Sequence, residues 1–265
     1  MGKIGFIGFG NMAQALVNGL IGAGFCQGTD VMVSDVVEKA VPAGVLWAGN
    51  NVEVARFADV LVLAVKPQQY EEVIQEIKQV LRPEMVVVSI AAGLTIKTLE
   101  GYLGKGIKLM RTMPNTPVGI GQGMTALMPN GLVSKDEVAW ISQMFDAVGR
   151  SCVVDEGLIE GVIVTSGSSP AYVYMMIEAM IKGGMAQGMS RELATTFVTE
   201  AMIGAAMMVK ETGIAPDVLC DAVCSPNGTT IEAVNHLRRH DFEGLVMDGM
   251  AACAKRSKEM ALTSN

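Results

Sequence analysis

What this chain has little of sets the first bounds. Its 265 residues contain only two histidines, His236 and His240, five cysteines, and 18% charged residues. The cysteines are Cys26, Cys152, Cys220, Cys224 and Cys253, an odd number without CxxC spacing. That pattern argues against a disulfide framework or a zinc site, and it reads as small buried side chains. The histidines stand four apart in HLRRH, but the glutamate of an HExxH motif is missing and arginines flank them. A solvated face is expected there, and no metal. A net charge of -7 and a pI near 5.0 supply no broad positive field, so neither nucleic acid nor an anionic membrane is an expected partner. The first residues carry no basic stretch followed by a cleavage site, and apolar runs such as residues 60–65 are far too short to cross a bilayer. A cytoplasmic protein is the simple expectation.

Apolar side chain, by contrast, is plentiful. Half the residues are hydrophobic and the mean hydropathy is +0.38, enough for a core with some left for an oligomer interface. At roughly 150 residues per domain the length suggests two domains. Short Val/Ile/Leu runs at 3–9, 30–34, 59–65, 85–91, 107–110, 124–127 and 151–154 are continuous, as in strands buried on both faces of a mostly parallel sheet. Helix-compatible stretches such as 11–24 and 69–81 lie between the earlier runs. After about residue 155 the strand signals stop. Long Ala/Met/Ile-rich helical stretches follow, broken at 167–170, 188–190, 213–216 and 225–228. The expected fold is α/β: a doubly wound, mostly parallel Rossmann domain over 1–155, then an all-helical domain over 156–265. Methionines at near-helical spacing, including Met175, Met176, Met180, Met207 and Met208, read as core or interface packing.

The sequence GFIGFGNMA puts Gly8, Gly10 and Ala13 in a GxGxxA pattern between a strand and a helix. Gly8 permits the tight turn, Gly10 lets backbone approach a pyrophosphate, and Ala13 lets helix and strand pack closely. A dinucleotide site follows from that context, against the plainer option of a packing turn. Asp35, 22 residues beyond Ala13 at the end of VMVSD, suits the adenosine ribose hydroxyls of NAD, or else a turn or helix cap. The acid leans toward NAD, although Ser34 and Lys39 offer a hydroxyl and a charge for an NADP phosphate. Lys66-Pro67, SIAAG (residues 89–93) and RTMPNTP (residues 111–117) mark strand ends that leave the sheet as defined loops. In CSPNGTTIEAV, Thr229 and Glu232 have capping-box spacing, with Thr229 as cap. The remaining N–H groups there suit a small carboxylate, or the segment is a plain capped turn. Pro170, inside a helical pattern, must kink or restart its helix.

Taken together, GFIGFGNMA, AVKP, SIAAG, RTMPNTP, SGSSPAY and CSPNGTTIEA resemble the pyrroline-5-carboxylate reductase family, in order and over nearly the whole length. The resemblance implies hydride transfer from NADPH or NADH to the imine carbon of 1-pyrroline-5-carboxylate, giving L-proline in the last step of proline biosynthesis. It implies that the helical half binds substrate and dimerises, giving a homodimer and beyond it a ring such as a decamer built of dimers. By matching positions it assigns the cofactor phosphates to Ile7, Gly8, Phe9, Gly10, Asn11 and Met12, and the adenosine half to Ser34 and Asn51 beside Asp35. It runs the cofactor past Ala64, Val65, Lys66 and Pro67 and past Ala91, Ala92 and Gly93, with Met113, Pro114 and Asn115 near the ring. It makes Ser225, Pro226, Asn227, Gly228, Thr229 and Thr230 the substrate loop, in which backbone amides take the carboxylate and Thr230 is the catalytic hydroxyl addressed to the ring nitrogen. Two departures stand out: Asn227-Gly228 replaces a frequent glycine pair, and Asp35 stands where NADPH-preferring members commonly carry a basic residue. A hydroxyacid-type dehydrogenase of similar plan would show paired Lys and Asn on the long interdomain helix, and residues 156–200 contain Lys182 but no Asn. A dinucleotide-binding regulator without turnover is the other alternative, opposed by the intact 225–230 loop.

Overall fold

The structure, a computed structural model, describes residues 2–263. It opens with strand β1 (Ile4–Ile7), helix α1 (Asn11–Gly22), β2 (Val31–Ser34), β3 (Leu46–Trp47), α2 (Asn51–Phe57) and β4 (Val60–Leu63). There follow α3 (Tyr70–Ile77), β5 (Val86–Ser89), α4 (Ile96–Leu103), β6 (Lys108–Met113), β7 (Gly123–Pro129), α5 (Lys135–Asp146) and β8 (Gly149–Val153). From there the described chain is helical: α6 (Ile159–Val162), a π-helical turn (Ile163–Gly167), α7 (Ser169–Ala186), α8 (Arg191–Thr212), α9 (Pro216–Ala222), α10 (Thr229–Arg239) and α11 (Phe242–Thr263). Pro170 falls in the first turn of α7, directly after the π-turn, so the helix restarts where a proline costs no hydrogen bond.

Among the described residues the strands form one sheet in the order β3-β2-β1-β4-β5-β6-β7-β8. The first six are parallel; β7 runs antiparallel to β6, and β8 runs parallel to β7. The order reverses at the β1/β4 junction, where open α/β sheets place their ligands at the carboxyl ends of the strands. The uninterrupted Val/Ile/Leu character of the central strands has a direct cause, since both faces are covered. On one face Ile4, Phe6, Val60, Val62, Val86 and Val88 pack with Leu16, Val17 and Leu20 of α1. On the other Ile7, Leu61, Leu63 and Val87 pack with Val54, Ile74 and Leu99 from α2, α3 and α4.

The chain divides into two compact units, one holding the residues up to Ser168 together with those from Cys253 onward, the other Ser169–Ala252. In the first unit Ile159 and Ile163 pack against Ala126 and Met128 of the sheet. The second has a small core of its own, Ile181, Ala194 and Val198 between α7 and α8. Many of its large apolar side chains stay exposed, among them Met175, Phe197, Ile203, Leu245 and Met247. Helix α8 is long and apolar enough, by length and composition alone, to cross a bilayer, with a mean hydropathy of 1.3 over its 18-residue window. Its unbroken apolar run, residues 201–209, is well short of a bilayer span, and polar residues flank it on both sides.

Three further expectations are corrected. The short β3 escaped notice because two residues leave no periodicity to read. The helical stretch around HLRRH is broken after Arg239, where Asp241 takes a positive φ of 52°. The cysteines are not core residues: Cys152 is exposed on the edge strand β8, and Cys26, Cys220, Cys224 and Cys253 are half-buried. The helical unit is too thinly cored to enclose Cys220 and Cys224.

Helix α2 packs on β1 at Gly5, where an added Cβ would stand 2.7 Å from Val54 Cγ1 and 2.8 Å from Ala58 Cβ. Gly5→Ala is therefore expected to destabilise the protein by about 1–3 kcal/mol through overpacking, read as a lower denaturation midpoint. An unchanged midpoint would mean that α2 moves away freely.

Candidate dinucleotide and substrate sites

The carboxyl ends of β1, β2 and β4 enclose a cleft of 390 Å³ lined by Gly8, Gly10, Asp35, Val36, Lys39, Asn51, Ala64, Val65, Lys66, Gln69 and Val73. Gly8 adopts φ +90°, and a Cβ there would lie 2.7 Å from the Ala64 carbonyl carbon, so glycine is needed both for the turn and for the approach to β4. Gly10 is the N-cap of α1 with φ -74° and ψ -176°, a conformation open to any residue. What glycine provides there is room, because nothing lies within 4 Å of where its Cβ would be. Being glycine, Gly10 offers no side-chain acceptor, and α1 has no acid in its first turn. The leading N–H groups of a 12-residue helix thus face the cleft unclaimed. Ala13 is buried against the sheet, as close helix–strand packing requires.

The far wall is set by Asp35. Its Oδ2 accepts the Phe9 N–H at 2.8 Å and the Lys39 ammonium at 2.7 Å, while Lys39 also donates to the Phe9 carbonyl at 2.9 Å. Burial pushes the Asp35 carboxyl up, but Lys39 and the Phe9 N–H outweigh it and hold the group below the usual carboxylate range. Behind it the Ser34 hydroxyl, 3% exposed at residue level, donates to Asn51 Oδ1 at 2.7 Å, and Asn51 Nδ2 donates to Glu76 at 2.6 Å.

The remaining expected cofactor residues sit around this cleft or at neighbouring strand ends. Ile7, Phe9, Asn11 and Met12 flank the turn, and Pro67 opens a 3₁₀ turn after β4. Ala91, Ala92 and Gly93 follow β5, with Gly93 at φ +81°. Met113 ends β6 and packs on Gly167, where an added Cβ would lie 2.9 Å from the Met113 thiomethyl carbon. Asn115 is buried and held at both ends of its amide: Nδ2 donates to the Ser166 carbonyl at 3.0 Å, and Oδ1 accepts the Met124 N–H at 2.8 Å. Gln69 and Val73 also line the cleft and were not anticipated; the helical turn after Lys66-Pro67 brings them there. An ion pair with one buried partner was missed as well. Arg111, 4% exposed, donates to Glu156 Oε1 at 2.6 Å, and the same oxygen accepts the Ile96 N–H at 2.7 Å, tying β6 to the start of α4.

Residues 225–230 lie in the helical unit. The expected capping box is absent, and its absence has a plain geometric cause. Asn227 takes the left-handed conformation, φ 59°, which sets Gly228 in the extended cap geometry (φ -80°, ψ 171°) and starts α10 at Thr229. Glu232 is then one position too far along to reach back, and no side chain caps the helix. Gly228 N–H closes the turn on the Ser225 carbonyl at 3.0 Å, and a Cβ at Gly228 would collide with the Ser225 hydroxyl. Thr229 and Thr230 are exposed at the open start of the helix. Elsewhere α2, α4, α5 and α8 close their first turns with Asn50, Thr95, Ser134 and Ser190. Helices α1 and α10 begin on bare glycine.

A glycine turn under an open helix start, at the switch point of a parallel sheet ordered 3-2-1-4-5-6, defines a dinucleotide-binding Rossmann protein. Comparison with known proteins refines that class. Residues 156–260 match the family described as pyrroline-5-carboxylate reductase dimerisation, and residues 3–93 match NADP oxidoreductase coenzyme F420-dependent. The pyrroline-5-carboxylate reductase of Escherichia coli (strain K12) is 42% identical over 264 residues, covering 98% of each chain, and that of Arabidopsis thaliana is 35% identical over 267 residues, covering 98% of this chain and 95% of its own. Among solved structures, the Plasmodium falciparum pyrroline carboxylate reductase with NADP bound superposes with a TM-score of 0.92 at 31% identity, covering 98% of both chains. A pyrroline-5-carboxylate reductase from Coxiella burnetii gives 0.90 at 34% identity, again covering 98% of both. The chain belongs to the pyrroline-5-carboxylate reductase family. The match to a dimerisation domain covers the unit whose large apolar side chains are exposed.

Two outcomes test the site. Gly10→Ala is expected to leave thermal stability within about 0.5 kcal/mol of the parent while weakening dinucleotide binding about tenfold or more in a fluorescence titration, since its methyl group would enter the open space over α1. Unchanged affinity would place the pyrophosphate elsewhere. The stability that Asp35 contributes is fully present above the unfolded aspartate pKa of about 3.9 and is lost as pH falls through the depressed folded value. Acid titrations of the parent and Asp35→Asn should therefore differ at pH 6 and draw together as pH falls below the usual aspartate range, whereas a constant gap would rule out that ion pair as its source.

Proposed function

We propose that this chain reduces 1-pyrroline-5-carboxylate to L-proline with NADPH or NADH, working as a cytoplasmic homodimer, with dimers assembling further into a ring. On this reading residues 1–155 serve the dinucleotide and residues 156–265 serve substrate and dimerisation. The observation that carries it is that α1 and α10 both begin on glycine with their first-turn amides unclaimed, which supports an anion at each.

Residues Ile7, Gly8, Phe9, Gly10, Asn11 and Met12 hold the pyrophosphate through backbone amides, with the helix dipole adding to the attraction. Ser34, Asp35 and Asn51 border the adenosine half. Ala64, Val65, Lys66 and Pro67, then Ala91, Ala92 and Gly93, give the path toward the ring with side chains small enough for close backbone approach, and Met113, Pro114 and Asn115 stand beside the ring. When bound, the reduced nicotinamide supplies the hydride.

The amides of Ser225, Asn227, Thr229 and Thr230, shaped by Pro226 and Gly228, hold the substrate carboxylate. The Thr230 hydroxyl orients the ring nitrogen, whose protonation leaves the adjacent carbon electron-poor. Orientation rather than a strong protein acid does the work, and alignment of this kind can contribute up to roughly 7–11 kcal/mol.

Steady-state reduction of pyrroline-5-carboxylate, with NADH and NADPH compared, tests this directly; no turnover with either would overturn it and favour a binding protein. Thr230→Ala should lower kcat about tenfold or more, the effect of losing one hydrogen bond to a charged group, and leave dinucleotide affinity unchanged. A loss of dinucleotide affinity would place Thr230 in the wrong site.

A further inference from the structure

The geometry points to Asp35 as the residue that selects between the two dinucleotides, and we infer that this chain binds NADH in preference to NADPH. The inference rests on the dinucleotide reading of the cleft and goes further, from cofactor class to a particular cofactor. The two cofactors differ only in a phosphate on the adenosine ribose, and in this topology that ribose lies at the carboxyl end of the second strand. Here that end is Ser34, with Asp35 and Val36 directly after it, and Asp35 and Val36 both line the cleft.

The two side chains best suited to receive a phosphate there, Ser34 and Lys39, already have partners. The Ser34 hydroxyl donates to Asn51 and is buried. Lys39 is the one cation in residues 34–41, and its ammonium is held by two acceptors, Asp35 Oδ2 at 2.7 Å and the Phe9 carbonyl at 2.9 Å. The Val37 N–H leans on Asp35 Oδ1 at 3.4 Å. Against that single cation stand two acids, Asp35 and Glu38, so a phosphate at this end meets a carboxylate and no free positive charge. A ribose hydroxyl meets the opposite situation. Asp35 Oδ1 has only the long contact from Val37 and retains lone pairs to accept it. Val36, 90% exposed at the mouth of the cleft, offers apolar surface to the adenine. Lys66, the other cation of the cleft, follows β4 rather than β2.

The test is a fluorescence titration of the full-length protein with NADH and with NADPH, in the parent and in Asp35→Asn, at low and at moderate salt. The parent is expected to bind NADH at least about tenfold more tightly, the scale of one like-charge encounter. Raising salt should narrow that ratio by screening the repulsion. Asp35→Asn keeps one oxygen for the Phe9 N–H, removes the charge and turns the other oxygen into an N–H donor, so NADPH affinity should rise relative to NADH and the ratio should fall by about tenfold. Equal or tighter NADPH binding by the parent overturns the inference, as does a ratio that Asp35→Asn leaves unchanged, including a uniform loss of both affinities. The titration contains no imine, so a chain unable to reduce pyrroline-5-carboxylate still yields the ratio, and failure to bind either dinucleotide overturns the cleft reading together with this one.

Discussion

At Gly8 the backbone leaves β1 with φ +90° and passes so close to the end of β4 that no side chain fits between them. From that approach the rest of the first unit follows. The chain must turn within two residues, Gly10 then stands over open space, and α1 begins with its amides aimed into the cleft between β1 and β4. Asp35 fastens the same turn from the other side through the Phe9 N–H, and Lys39 clamps both partners. A Rossmann cleft is often described by its glycines alone; in this chain it is a glycine turn closed by an ion pair.

The helical unit repeats the device in a smaller form. Left-handed Asn227 and extended Gly228 start α10 without a side-chain cap, as Gly10 starts α1. An uncapped helix start costs stability when buried, but at a surface facing an anion it becomes a binding element. The exposed Met, Phe and Leu side chains of this unit are likewise unfavourable for a lone chain and appropriate to a dimerisation domain.

Legibility varied with the physical origin of each feature. Buried parallel strands leave continuous Val/Ile/Leu runs because both faces are covered, so β1, β2, β4 and β5 could be read directly. Gly8, Gly10 and Lys66 were readable as cleft residues because glycine and proline carry fixed backbone consequences, whereas Ala64 and Val65 came only through the family resemblance. Gln69 and Val73 were not, since a helical turn after Pro67 decides their direction. The spacing from Thr229 to Glu232 matched a capping box, yet a single left-handed residue upstream moved the helix start by one position. Nor could the sequence tell that the Ser34 hydroxyl and the Lys39 ammonium, both plausible phosphate partners, are engaged by Asn51, Asp35 and the Phe9 carbonyl, because those contacts join distant segments or depend on side-chain direction.

The central claim is that this chain delivers hydrogen from a reduced dinucleotide to an imine carbon. It is tested most directly by following deuterium into product by NMR from a reduced cofactor that carries deuterium at both positions of nicotinamide C4. The account predicts label on the proline ring carbon that was double-bonded to nitrogen, one atom per cofactor oxidised. Cofactor oxidation without deuterium at that carbon, or label at the carboxylate-bearing carbon instead, would contradict it.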